Sequence, residues 1–196
     1  MSTPKAGDAL PRGIREFRLD DLDSMTEIFN ETALRGMVSA ATRTVSLEEM
    51  TFYIDYFMRL HNPVYVLERH GEVIAWLTVS CFSWGGLQAC RITGEANIYA
   101  RDDAIGRGIG ARMGRAAVIL AERYGFETLV AWIVEGNHAS DQVVQGMGAE
   151  KWGYFPGIAR FRGKRTSVAL YGLGLTPLEM RDAFPLYDRQ TSAVLA

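Results

Sequence analysis

The 196-residue chain is 48% hydrophobic and 22% charged, with a formal net charge of −2. That length holds one domain with a sizeable core, and the balance is that of an ordinary soluble globular domain. Scattered Lys and Arg leave no electrostatic footprint for nucleic acid, and no uninterrupted run of about 18 apolar residues is present to span a membrane.

Residues 1–12 are polar, contain two prolines and read as a disordered leader without the apolar region of a signal peptide. Residues 13–18 predict a short strand. Leu19-Asp20-Asp21 then opens a helix, with an Asp as N-cap and Leu22, Met25, Ile28 and Phe29 on the apolar face. A loop is expected over roughly 34–45. Ser46 with Glu49 three residues on has the form of a capping box, and a second helix follows with Met50, Tyr53, Ile54 and Phe57 on one face. Pro63 stops that helix. Val64–Glu68 and Val73–Phe82, around His70-Gly71, read as a hairpin.

Cys90–Ala100 predicts a further strand, and Gly106–Gly110 a glycine-rich turn before a long helix over about 108–124. Thr128–Val134 is continuously apolar, as a central strand covered on both faces must be. A short helix is expected from Asn137 to about Gly146, then strands at Lys151–Tyr154 and Thr166–Leu173 with turns at Pro156-Gly157 and Gly163-Lys164. Residues 13–174 thus form one domain, and 175–196 a C-terminal extension that packs on a partner subunit or stays mobile. Helices, an antiparallel meander, then helix, strand, helix and strands is an α+β order.

Cys81 and Cys90 lack metal-site spacing and are expected to be reduced thiols, consistent with a cytoplasmic location; no metal site is expected. Trp76, Trp84, Trp132 and Trp152 are expected to pack the core, with a place in a substrate pocket open to Trp84. His70 and His138 are expected to face solvent. The basic run Arg160, Arg162, Lys164, Arg165 reads as a solvated hairpin edge or a contact for an anion.

The strongest local signal is Gly106-Arg107-Gly108-Ile109-Gly110-Ala111, between a strand and a helix. Glycines admit an anion close to backbone N–H groups, and the helix that follows offers unpaired amides and the positive end of its dipole. Together they form a pyrophosphate cradle. A P-loop would need Lys and then Ser or Thr after the glycine, but Ala111 and Arg112 stand there. A dinucleotide fingerprint would need its third glycine one residue later. An acyl-CoA turn remains.

Gly108-Ile109-Gly110, preceded by Arg107, resembles the glycine motif of the GNAT acetyltransferases, with Ile105 where that motif carries Gln or Arg. The likeness covers about residues 13–173. It is nearest to the phosphinothricin N-acetyltransferase group in three stretches. These are Ile28-Phe29-Asn30-Glu31 with Val45-Ser46-Leu47-Glu48-Glu49, Glu95-Ala96-Asn97-Ile98-Tyr99-Ala100, and Asn137-His138-Ala139-Ser140. The resemblance implies a mixed, mostly antiparallel sheet flanked by about four helices, with splayed central strands that bind acyl-CoA. It implies acetyl-CoA as cosubstrate, a small-molecule amine as acceptor and a homodimer. Backbone groups of Ile98, Tyr99 and Ala100 would meet the pantetheine and thioester. Gly106, Arg107, Gly108, Ile109, Gly110 and Ala111 would hold the pyrophosphate, Asn137 would bond the pantetheine, and Glu95 would be the general base.

Two features depart from that group: Val144 stands where it usually carries His, and the stretch 160–165 lacks its Trp. The chemistry is coherent on its own terms. A protonated amine cannot attack a thioester until a carboxylate takes its proton, and strand amides can stabilise the oxyanion that forms. No covalent intermediate is needed, in keeping with the lack of a Cys–His or Ser–His motif. Tyr154 is a further candidate, as general acid. Two readings stand: an N-acetyltransferase, or a non-catalytic acyl-CoA sensor that kept the cradle.

Overall fold

The computed structural model describes residues 4–5, 7–36, 41–82, 88–161 and 163–175. Seven strands and four α-helices follow in the order β1 (Ile14–Glu16), α1 (Leu22–Arg35), α2 (Leu47–Arg59), β2 (Val64–Arg69), β3 (Glu72–Cys81), β4 (Thr93–Ala100), α3 (Ile109–Arg123), β5 (Thr128–Val134), α4 (His138–Gly146), β6 (Glu150–Phe161) and β7 (Lys164–Gly174). The strands form one sheet in the order β1-β2-β3-β4-β5-β7-β6. Every neighbouring pair is antiparallel except β4 and β5.

The parallel pair positions the site. β4 and β5 stay in register only over Thr93–Thr128, Gly94–Leu129 and Glu95–Val130. β4 then runs on to Ala100 against β3, and β5 on to Val134 against β7, with no further pairing between them. Beyond Glu95 the sheet therefore opens into a gap lined by backbone.

The helices divide between the faces. Met25, Ile28, Met50, Ile54 and Phe57 of α1 and α2 pack on Val64, Val66, Val73 and Trp76. Met113, Ala117 and Leu120 of α3 pack on Leu67, Ala75, Leu77 and Val79 from the other side. Val144 of α4 meets Ile133, Ala169 and Tyr171. The α1–α2 layer includes no residue of β5, β6 or β7. On that face no helix among the described residues packs on β5, β6 or β7, and Trp132 and Trp152 are 39% and 52% exposed. The expectation that these two tryptophans fill the core is corrected; Trp76 alone, with no exposed area, does so among the described ones. Trp84, Arg162 and residues 176–196 lie outside the described residues.

Local chemistry accounts for the element ends. Ser46 Oγ accepts from the Glu49 amide at 3.1 Å and Glu49 accepts from the Ser46 amide at 2.9 Å, so the expected capping box forms. The Cys90–Ala100 strand starts later, at Thr93, after a single 3-10 turn over Gln88–Cys90. β6 does not turn at Pro156-Gly157. It continues to Phe161, and the pair is absorbed as a register shift between Phe155 and Ala159. β6 is an edge strand, where the missing proline N–H costs no ladder bond. The described part of the leader lies along α3: Asp8 pairs with Arg115 at 2.7 Å, Arg123 donates to the Asp8 carbonyl and Arg112 to that of Arg12.

An Asp, Asp21, stands at the N-cap of α1 as expected, but its side chain serves a different purpose. Its side chain makes no cap bond to α1 and instead accepts two bonds from Arg15, at 2.7 and 2.8 Å, and one from the Arg18 amide at 2.7 Å. Arg15 also binds Glu68 of β2, so the cluster ties β1, β2 and the start of α1 together. The Arg15 hydrogen bonds hold the Asp21 carboxyl below the usual carboxylate range. A depressed folded value contributes stability that is present above the unfolded pKa and lost as pH falls through the folded one. Asp21→Asn is accordingly expected to cost about 2 kcal/mol at neutral pH in urea unfolding. The deficit should shrink in acid; an equal deficit at neutral and acid pH would contradict this.

Candidate active site

β4 alternates, and the two sets of residues differ in function. Glu95 lies opposite Ser80, Asn97 opposite Thr78 and Tyr99 opposite Trp76. Side chains of paired residues share a face, and Tyr99 stacks on Trp76 with ring centroids 4.2 Å apart. Glu95, Asn97 and Tyr99 thus turn to the α1–α2 face, while Ala96, Ile98 and Ala100 pack against the α3 core.

Backbone groups alternate the other way. The Arg101 amide donates to Ile74 of β3, so Tyr99, Asn97 and Glu95 direct their backbone to β3 as well. Ile98 and Ala100 direct theirs into the gap, and the Ala100 carbonyl accepts from Arg35 at 3.3 Å. The backbone contributions expected of Ile98 and Ala100 therefore face the gap. For Tyr99 the expectation is corrected: its amide and carbonyl face β3, and its ring packs beneath the site.

Glu95 is half-buried at the mouth of the gap. Its Oε2 accepts from the indole Nε1 of Trp132 at 3.3 Å. Burial pushes the carboxyl above its ordinary value, and hydrogen bonds from Trp132 and Asn97 pull in the opposite direction. Among the described residues no cation makes a salt bridge to Glu95. Tyr53 of α2 and Tyr99 share a hydrogen bond close by, and burial holds the Tyr53 hydroxyl up to about 12. Phe82 and Phe155 flank the Trp132 ring.

Asn97, Trp132, Phe82 and Phe155 were missed at the level of sequence. Asn97 had a legible signal, because i and i+2 on a strand share a face. Trp132 had none, since its approach to Glu95 depends on the parallel register of β4 and β5.

The glycine turn divides into two roles. Gly106 and Gly108 have φ of +80° and +75°, and nothing lies within 4 Å of where a side chain would start. Gly108 is the N-cap of α3 without a side-chain cap. The first helix amides, at Ile109, Gly110 and Ala111, have no carbonyl partner within the helix. Gly110 differs: a side chain there would meet Val143 at 2.6 Å, so this glycine lets α3 and α4 approach. Across the gap, Asn137 is buried at the end of β5, and its side chain caps α4 by accepting from the Ser140 amide at 3.2 Å. Tyr154 donates to Glu135 at 2.9 Å. It pairs with Ala169, which packs on α4, and so it stands on the face away from Glu95.

Two parallel strands that part beside a glycine-opened helix N-terminus define a protein built to thread a phosphate-bearing acyl carrier between them. The chain belongs to the GNAT acetyltransferases: residues 13–150 match the family described as Acetyltransferase (GNAT) domain. It is similar to the Bacillus subtilis protein named "Putative phosphinothricin acetyltransferase YwnH", at 32% identity over 80% of this chain and 94% of that one. It is 27% identical to the L-methionine sulfoximine/L-methionine sulfone acetyltransferase of Pseudomonas aeruginosa, over 84% of this chain and 95% of the relative. A phosphinothricin acetyltransferase from Sinorhizobium meliloti, solved in complex with AcCoA, superposes with a TM-score of 0.78 at 26% identity, covering 85% and 93% of the two chains. The protein is an acetyl-CoA-dependent N-acetyltransferase with the expected mixed, mostly antiparallel fold. No helix among the described residues is long and apolar enough to cross a membrane.

Proposed function

We propose that the chain acetylates the primary amine of an amino-acid-like small molecule, of the phosphinothricin or methionine sulfoximine type, by direct attack with Glu95 as general base. The observation that carries this reading is the setting of Glu95. It is half-buried where the strands part, bonded to two neutral donors and, among the described residues, not neutralised by a cation.

Acetyl-CoA supplies a thioester whose carbonyl carbon is open to an amine. The open cradle of Gly106, Arg107, Gly108, Ile109, Gly110 and Ala111 fits its pyrophosphate, because positive-φ glycines and unpaired helix amides favour an anion. The backbone groups of Ile98 and Ala100 fit the pantetheine arm, and Asn137 sits where it can close the other side. Glu95 takes the proton of the incoming ammonium, the freed amine nitrogen bonds the thioester carbonyl carbon, and the C–S bond breaks so that CoA leaves as its thiolate and takes up a proton as the free thiol. A carboxyl raised by burial holds the ammonium's proton better than a solvated one. The exposed ring of Trp132, with Phe82 and Phe155, offers an apolar wall for the body of the acceptor. Homodimerisation and a cytoplasmic location belong to the same reading and rest on the family resemblance.

The test is acetyl-CoA-dependent thiol release against phosphinothricin, methionine sulfoximine, methionine sulfone, common amino acids, polyamines and a lysine peptide. Release with one of the first four kinds is expected. Release with the peptide alone, or silence across the panel with acetyl-CoA bound, would overturn the reading, and silence would favour the sensor.

A further inference from the structure

Glu95 has three side-chain torsions and, among the described residues, no cation in a salt bridge with it, so another group must aim its carboxylate. β5 supplies the means. Leu129 and Ile133 face the α3 and α4 cores, so Val130, Trp132 and Val134 turn to the opposite face, where Glu95 points. Val130 is the last residue of β5 in register with β4, and Trp132 rises just beyond it, at the mouth of the gap.

The indole is wedged between two rings: Phe82 lies 6.4 Å away and nearly parallel at 17°, and Phe155 5.3 Å away at 57°. That leaves Nε1–H aimed at Glu95 Oε2, at 3.3 Å. A tryptophan 39% exposed contributes less to the core than a buried one, and a phenylalanine would pack between the same rings. What tryptophan adds here is the donor.

We propose that Trp132 is a positioning residue for Glu95, whose indole N–H fixes the carboxylate at the mouth of the gap and favours its ionised form. The inference rests on the reading of Glu95 as base. An indole nitrogen donates and never accepts, so it favours the group with the most acceptor capacity, the carboxylate. The other groups around Glu95 carry no competing charge. Asn97 on β4 and Ser80 on β3 are neutral, and Tyr53 of α2 and Tyr99 of β4 are held protonated by burial far beyond the range where a carboxyl titrates.

Trp132→Phe keeps a ring between Phe82 and Phe155 and removes only the donor. Turnover at neutral pH is expected to fall about tenfold, the scale of one hydrogen bond to a charged group, with KM for acetyl-CoA unchanged. The acid limb of the pH–rate profile is expected to move to higher pH, because Glu95 then holds its proton more tightly. A loss of turnover with the limb unmoved would mean a merely structural role and overturn the proposal, as would wild-type kinetics. A second measurement holds even if that variant fails to fold. The chain has four tryptophans. One indole N–H resonance is expected to shift with pH across a carboxyl titration in the wild type and to stand still in Glu95→Gln. No titrating indole signal would overturn the contact itself. Undiminished turnover in Glu95→Gln would instead overturn the base reading beneath it, which keeps the two failures apart.

Discussion

Glu95→Gln is expected to leave acetyl-CoA binding intact and to cut turnover about a hundredfold or more, the usual scale for a lost general base. The amide matches the carboxylate in size and its one oxygen can still accept from Trp132, so the mouth of the gap should keep its shape. What it cannot do is take a proton. The cradle at Gly106–Ala111 lies on the opposite side of the splay, at the start of α3, and should be untouched. Calorimetric affinity for acetyl-CoA together with steady-state turnover checks both halves. Wild-type turnover would remove Glu95 from the chemistry; lost affinity would mean that it shapes the acetyl-CoA site instead.

Gly108→Val is expected to weaken acetyl-CoA binding at least about tenfold while the protein stays folded. Gly108 sits at φ +75° and ψ 6°, a left-handed conformation that a β-branched residue adopts only at a cost of about 1–2 kcal/mol. Each 1.4 kcal/mol is about tenfold in affinity. The new side chain would also project into space that is now open, in front of the helix amides. Gly110→Val provides the contrast. Its side chain would strike Val143, so its main effect should be a lower melting temperature through forced separation of α3 and α4. Equal acetyl-CoA affinity in Gly108→Val and wild type would contradict the cradle.

The local signals that carried over are those decided within a few residues. Ser46 and Glu49 form their capping box because both bonds close within one helical turn. The hairpin at His70-Gly71 forms where β-branched runs meet a residue pair that tolerates positive φ, +56° and +83°. The glycine turn was legible because the conformational freedom of glycine is a property of the residue itself. Asp21 does stand at the N-cap of α1, but its side chain goes elsewhere because its strongest partner, Arg15, lies outside that helix. Pro156-Gly157 was misread because a proline at an edge strand and one in a turn look alike until the edge is known. Trp132 and Trp152 were misread because hydrophobicity predicts that a ring will be covered only if another layer is available to cover it, and α1 and α2 stop short of that half of the sheet.

By itself, then, the order of residues determined the α+β class and the helix and hairpin positions, since each rests on periodicity, capping or turn residues within a short window; glycine content singled out the cradle, and Glu95 was singled out by the family resemblance. Only the tertiary structure decided where β4 and β5 part, which backbone groups of Ile98, Tyr99 and Ala100 face the gap, and what holds Glu95. Those depend on the register between strands some 35 residues apart in the chain. That register is set by how two helical layers pack on opposite faces of one sheet, a balance of burial over the whole domain that no local pattern encodes.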